Sequence, residues 1–474
     1  DTRFQAAEMI PKLKHPSKTE LPELSWTAVT FWLSLAQIAP RAGVNKLWQG
    51  NSSALSNTLN ADMKLPHTVT TAMLFCLFAC CSPSDAQLLR TVTNPALSSV
   101  EGIVRQGIDQ GVYPGAVVVA GSNGEVLWAK AYGRASWDEK APAMGLDTIF
   151  DLASVSKVAG TTMAAMALLE DGKLSLDDRV SKHIPGFGAG KEDVTVRDLL
   201  THVSGLKPYE NSATVEKTRK EGESAADALI RHYCALPPAY PPRQQERYSC
   251  LNMQTMARVV ENCAGERMED LLKRRVYRPL GMTGTGYVLS ARQKAKCAPT
   301  AKRKDGSLVQ GVVHDPLANY HGSVEHCPGN AGLFSTGPDL ARLCRMILAR
   351  GTLDGVRVFT PGTIARMTAD HSPAALKGRR ALGWGIYTPG RFATPLNDEP
   401  GSYMLAHTGF TGTYLWMDQR TRSFVVLLTN YVLPGGAKSG KDAGLAPVRM
   451  GLVRAVMSLQ PEYAEFLKSQ PGRN

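Results

Sequence analysis

The order of strand-like and helix-like stretches constrains this chain most. Toward one end, "GAVVVAGSNGEVLWAKAYG" holds two β-rich runs around Ser122-Asn123-Gly124. An Asn-Gly pair between such runs is a hairpin turn. Toward the other end, residues 402–408, 412–418 and 423–430 read as three strands in a row. Between them the pattern is helical: one helix from about Ser154 to Glu170, stopped by Asp171-Gly172, then residues 190–300, broken by Pro-rich loops such as "ALPPAYPPRQQ". Strand groups at both ends with a helical middle predict an α/β chain of the α+β type. One antiparallel sheet would be built from both chain ends. Helices would flank it, and a helical lobe over about 154–300 would be inserted, with a cleft between lobe and sheet. Flanking helices are expected where Val100, Ile103, Val104 and Ile108 fall at helical spacing, within "GLFSTGPDLARLCRMILARG", and from about Pro447 to Leu459.

Hydrophobic content of 43% and charged content of 20% over 474 residues suit a globular protein with a full core. The net charge is +12, but there is no dense Lys/Arg stripe; a short cluster, Lys302-Arg303-Lys304 beside Asp305, reads as a solvated loop. Nucleic acid is therefore not an expected partner, and the basic balance suits an anionic surface such as a cell envelope. "MKLPHTVTTAMLFCLFACCSPSDAQ", from Met63, has the order of a secretory signal over 63–86: Lys64, an apolar run from Val69 to Cys80, then small residues. That run is too short to span a bilayer; its other reading is a buried apolar helix at the domain edge. Leu77-Phe78-Ala79-Cys80 also resembles a lipoprotein cleavage box, which would attach a lipidated N-terminus to a membrane. The expectation is export to a bacterial periplasm or cell envelope, with residues 1–62 an upstream segment outside the working protein. Of nine cysteines, Cys76, Cys80 and Cys81 fall in that signal. Cys234, Cys250, Cys263, Cys297, Cys327 and Cys344 lie beyond it with no C-x-x-C spacing, so zinc is disfavoured and any disulfide connectivity stays open. No phosphate loop or metal-ligand cluster appears, so no cofactor or metal is expected.

Chemistry enters at "FDLASVSKVAGTTMAAMALLEDG", Phe150 to Gly172. Ser154 opens a helix and Lys157 stacks one turn behind it on the same face. A lysine facing inward must be paired or lose its proton. A helix N-terminus also favours a developing alkoxide or oxyanion. The plainer reading is an N-cap serine with a snorkelling lysine. A second Ser-x-x-Lys, Ser204-Gly205-Leu206-Lys207, holds a glycine and abuts Pro208, so it sits in a turn where the two side chains need not converge. No G-x-S-x-G elbow exists, and His202 in "LLTHVSGL" reads as a structural turn residue.

With "VTVRDLLTHVSGL", "YSCLN" from Tyr248, "HDPLAN" from His314, "NAGLFSTGPDLAR" from Asn330, "LGWGI" from Leu382 and "HTGFTGT" from His407, the stretch resembles the serine β-lactamase and penicillin-binding-protein superfamily. The resemblance is to its class C-like branch, with D-Ala-D-Ala carboxypeptidases and the β-lactamase-like family VIII carboxylesterases, over about residues 95–460. It implies a β-lactamase/transpeptidase-like fold, Ser154 as acylating nucleophile and Lys157 as its partner. Tyr248 would be the second-motif tyrosine, acting as general base and protonating the leaving group. His407-Thr408-Gly409 would be the third motif, on a strand lining the site, and the backbone N–H groups of Ser154 and Phe410 the oxyanion hole. Burial is expected to ease proton loss from Lys157, and Gly409 to let substrate backbone approach. Two positions depart from the pattern. Cys250 stands where asparagine is usual, and a thiol is a poor substitute for an amide that donates and accepts; Asn252 could substitute for it. His407 stands where class C β-lactamases carry lysine and many esterases tryptophan, and histidine there is typical of peptidase-like members. The expected function is a serine hydrolase working through an acyl-enzyme on small esters. The alternatives are a D-Ala-D-Ala carboxypeptidase or muropeptide hydrolase, a weak β-lactamase, or a non-catalytic penicillin-fold module that binds cell wall. Substrates would be small esters, peptides or β-lactams; the sequence carries no sign of oligomeric state.

Overall fold

A computed structural model describes residues 90–376, 379–386, 404–435 and 444–461. The segments read as upstream sequence and signal lie outside the described residues. The first pieces are β1 (Val92–Thr93), α1 (Ser99–Asp109), and the hairpin strands β2 (Gly115–Ser122) and β3 (Glu125–Gly133). Asn123 and Gly124 both take positive φ, as the hairpin turn requires. After the helical middle come β4 (Gly385–Ile386), β5 (Met404–Thr408), β6 (Tyr414–Asp418), β7 (Ser423–Thr429) and α2 (Leu445–Met457). All seven strands form one sheet in the order β1-β3-β2-β7-β6-β5-β4, every pairing antiparallel. The two chain ends meet where β2 pairs with β7, Val118 opposite Leu427. The expected fold class therefore holds.

β2 is buried along its whole length, and apolar from Ala116 to Ala120, because both faces of the sheet are covered. Ala116, Val118 and Ala120 point with Trp416, Val425 and Leu427 into a core closed by Val100 and Val104 of α1 and Val448, Leu452 and Val456 of α2. Val117 and Val119 point the other way, with Leu415, Val426 and Leu428, toward the helix Gly337–Leu348 and the helical lobe. That period-2 split fixes register, since a one-residue slip would exchange the two cores. In the lobe, Thr162–Glu170 is buried on nearly every side and packs beside Cys250–Ala264. No helix among the described residues is long and apolar enough to cross a membrane.

The expected helix from Ser154 to Glu170 is three pieces. Ala153–Val155 is a 3₁₀ turn, Lys157–Thr161 a π-helical turn, and Thr162–Glu170 regular α-helix. Ser154 thus lies inside a tight turn and makes no side-chain cap. Within the π turn, a Cβ on Gly160 would overlap the Tyr287 hydroxyl, so only glycine lets that ring close over the wide turn. Such single π turns are frequent at functional sites.

Candidate active site

Ala153, just before Ser154, sits at φ 45°, where a side chain is disfavoured. The buried Asp151 holds it there: one carboxylate oxygen accepts the Ala153 N–H at 2.8 Å and the other the His314 N–H at 2.7 Å. The turn that follows presents the Ser154 hydroxyl to Lys157, whose Nζ donates to Ser154 Oγ at 3.0 Å and to the Asn330 carbonyl at 2.7 Å. Lys157 is wholly buried, so the snorkelling reading fails. The expectation that burial would free its proton is also corrected. Burial is the largest influence and pulls the pKa down, but the Cys250 thiol, then the Tyr248 phenol, and Asp315 beyond them outweigh it. The net shift is upward, and the lysine stays an ammonium.

Tyr248 arrives on the stretch before the helix Cys250–Ala264, with Ser249 as N-cap. Lys157 Nζ lies 4.9 Å from the centre of the Tyr248 ring, which also faces the rings of His202 at 4.8 Å and His407 at 6.0 Å. Cys250 is buried as the first helical residue. Asn252 does not substitute for the missing amide: its Oδ1 accepts from Ser204 Oγ at 2.5 Å and its Nδ2 lies 3.3 Å from His202 Nδ1. The second Ser-x-x-Lys diverges as expected, Ser204 toward Asn252 and Lys207 toward Glu210 at 2.5 Å.

His407 lies on β5, buried against the site rather than facing solvent. Its Nδ1 is 2.9 Å from the Thr408 carbonyl and must donate to it, which leaves Nε2 bare. Burial, then the positive charges of Lys157 and Arg380, push its pKa down to about 3, so the imidazole is neutral. Arg380 is itself paired with Glu246 at 2.7 Å.

The turn after β5 is stitched to the nucleophile turn. Thr411 Oγ1 donates to the Asp151 carbonyl at 2.7 Å and Thr413 Oγ1 to the Leu152 carbonyl at 2.8 Å. This junction by itself requires glycine at 409, since a Cβ there would overlap Thr413 Oγ1 and the Leu152 carbonyl. Among the described residues neither the Ser154 nor the Phe410 N–H is spent on a backbone hydrogen bond, as an oxyanion hole requires. The Phe410 side chain is 72% exposed at the rim and stacks on His314, centres 5.8 Å apart.

Sequence reasoning gave no role to several neighbours. Asn330 accepts from Lys157 through its carbonyl, while its side chain accepts from Gln254 at 2.9 Å and donates to Asp315 at 3.1 Å. The quoted strings "NAGLF" and "HDPLAN" were the available signals. A backbone carbonyl, however, has no residue signature. No group of three His, Cys, Asp or Glu side chains that could hold a metal ion occurs among the described residues. Chemically, the set can activate a serine hydroxyl, stabilise an oxyanion and relay a proton.

The beta-lactamase family model matches residues 100–447. An N-acetylmuramyl-L-alanine amidase of Bacillus subtilis (strain 168) is 29% identical over 361 residues, covering 70% of this chain and 80% of the relative. An Escherichia coli (strain K12) protein provisionally named a D-alanyl-D-alanine carboxypeptidase is 28% identical, covering 70% of this chain and 82% of its own. Among solved structures, that of EstCE1, described as a hydrolase with promiscuous acyltransferase activity, is 25% identical with a TM-score of 0.59. That match covers 75% of this chain and 98% of EstCE1.

Proposed function

The chain belongs to the beta-lactamase family, and from that premise we propose that it is a serine hydrolase acting through an acyl-enzyme, with small carboxylic esters as its substrates. Ser154 Oγ attacks the ester carbonyl and the oxyanion forms against the N–H groups of Ser154 and Phe410. The proton leaving Ser154 passes through the Lys157–Tyr248 pair to the departing alkoxide, which leaves as the alcohol. Lys157 keeps its charge before and after, so the pair acts as a relay. Water then adds to the acyl carbonyl, and the acid and free Ser154 are released.

The observation that carries the ester preference is where the positive charge sits. The two cations that face His407 are already engaged, Lys157 with Ser154 and Asn330, Arg380 with Glu246, and His407 is neutral. A substrate bearing a free carboxylate, such as a D-Ala-D-Ala peptide or a β-lactam, would have to compete for them. Cys250, in place of an amide, removes a partner for an amide side chain. The names of the Bacillus and Escherichia relatives favour a second reading, amide or peptide hydrolysis of cell-wall fragments in the envelope. The test is turnover of a short p-nitrophenyl ester, a fluorescent penicillin and a D-Ala-D-Ala peptide beside Ser154→Ala. Ester turnover that vanishes in the variant supports the proposal; peptide turnover above ester turnover supports the second reading. No serine-dependent reaction with any of the three would leave a non-catalytic cell-wall-binding module.

A further inference from the structure

Tyr248 must hold its oxygen beside Lys157 from a stretch with no regular structure, and one residue grips that stretch from both sides. His202 is wholly buried at φ 60° in the turn after the helix Val196–Leu200. Its carbonyl accepts the Arg247 N–H at 2.9 Å, and its Nδ1 accepts the Ser249 N–H at 3.2 Å. Between those two bonds lies Tyr248, whose ring tilts 44° against the His202 ring. The His202 Nδ1 also faces Asn252 Nδ2, whose Oδ1 is taken by Ser204. With two donors converging on Nδ1, the ring proton must sit on Nε2, and Nε2 is buried with no hydrogen-bond partner among the described residues.

A turn alone would not call for this side chain. At φ 60° asparagine or glycine is less strained, and a buried, unpartnered ring N–H is disfavoured. Histidine does offer an acceptor for the Ser249 amide and a flat ring against Tyr248 on one rigid group. We propose that His202 is the positioning residue of this site, fixing Tyr248 toward Lys157 by clamping the backbone on either side of it. The inference rests on the serine-hydrolase reading. Burial, then the charges of Arg380 and Lys157, hold the His202 pKa well below its ordinary value, so the acceptor stays available.

The test is steady-state hydrolysis of a p-nitrophenyl ester by the wild type, His202→Ala and His202→Asn, with thermal unfolding as the folding control. Asparagine tolerates positive φ, and its Oδ1 takes the place of Nδ1. His202→Ala should lower kcat by about 10- to 100-fold with KM within about threefold, the penalty of a misplaced catalytic group. His202→Asn should recover kcat to within about fivefold of wild type. Should His202→Ala not fold, His202→Gln replaces it, because its carbonyl reaches one carbon too far and should lose kcat in the same way. Equal losses in the Asn and Ala variants, a loss carried by KM, or an unchanged kcat in His202→Ala would overturn the positioning role while leaving the hydrolase reading intact. A wild type with no more ester turnover than Ser154→Ala would instead overturn the hydrolase reading, and this inference with it.

Discussion

Ser154–Lys157 and Ser204–Lys207 share a four-residue spacing and little else. In the first, a strained Ala153 and a π-helical turn bring an ammonium with no exposure to 3.0 Å from the serine oxygen. In the second, Gly205 at φ 83° turns the chain; the buried Ser204 bonds Asn252 while the half-exposed Lys207 reaches out to Glu210. The letters are the same, so the chemistry comes from what holds each turn. The first is held by Asp151 close by, and through it and beside it by His314, Asn330 and the threonines after β5, which are distant in sequence; the second is held by its immediate neighbours and by Asn252.

The largest separation should come from the serines. Ser154→Ala is expected to lower kcat for a p-nitrophenyl ester at least about 10⁴-fold, as loss of a nucleophile does. Ser204→Ala should lower kcat no more than about fivefold but cost roughly 1–3 kcal/mol in urea unfolding, because Asn252 loses its buried donor. Comparable kcat losses in the two would break the comparison. The lysines give the next contrast. Lys157→Ala should lower kcat about a thousandfold, within the range of a lost proton relay. Lys207→Ala removes one partner of a pair that is open to solvent on the lysine side, so it should change stability by less than about 1 kcal/mol and leave kcat alone.

Much of this was legible in the sequence because it is local. The Asn-Gly hairpin, the amphipathic α1 and the strand triplet each carry their own pattern, and the glycine and proline in the second copy mark it as a turn. The rest depends on partners that leave no local trace. Nothing in "FDLASVSK" says that Ala153 will take a positive φ, because the Asp151 carboxylate that stabilises it also needs His314 from far along the chain. Lys157 was expected to shed its proton because burial acts alone in a sequence argument. Folding adds Cys250 and Tyr248 beside it, and their influence decides the sign. Gly409 likewise has a second reason that no local pattern shows, the room taken by Thr413 and the Leu152 carbonyl.

Cys250 sharpens the comparison from a third side, since it and Asn252 sit within one turn of the same helix but serve different copies. Asn252 supports Ser204, while Cys250 is the side chain that most raises the Lys157 pKa. Cys250→Asn should therefore raise amide or β-lactam turnover relative to ester turnover by about five- to tenfold, the worth of one hydrogen bond. An unchanged ratio, measured on the same enzyme preparation, would mean that the thiol is not what limits amide recognition.

The smallest expected effect separates the acids that anchor the two turns. Burial, partly offset by the Ala153 and His314 N–H groups, raises the pKa of Asp151 to about 6. Folding thus favours its protonated form, and the stability this contributes is full below the ordinary aspartate value and lost as pH rises through about 6. Glu210 is the reverse. Burial works to raise its pKa, but Lys207, His232 and the Asn211 N–H lower it overall, so its contribution is present above the ordinary glutamate value and lost as pH falls. Asp151→Asn and Glu210→Gln each add a fixed offset from altered hydrogen bonds, which leaves the slope as the informative quantity. In urea unfolding between pH 3 and pH 8, the deficit of Asp151→Asn against wild type should shrink as pH rises. The deficit of Glu210→Gln should shrink as pH falls. A deficit of Asp151→Asn that does not change with pH would show that Asp151 is ionised at no extra cost, and one that shrinks as pH falls would show that the turn before Ser154 is held no differently from the one before Lys207.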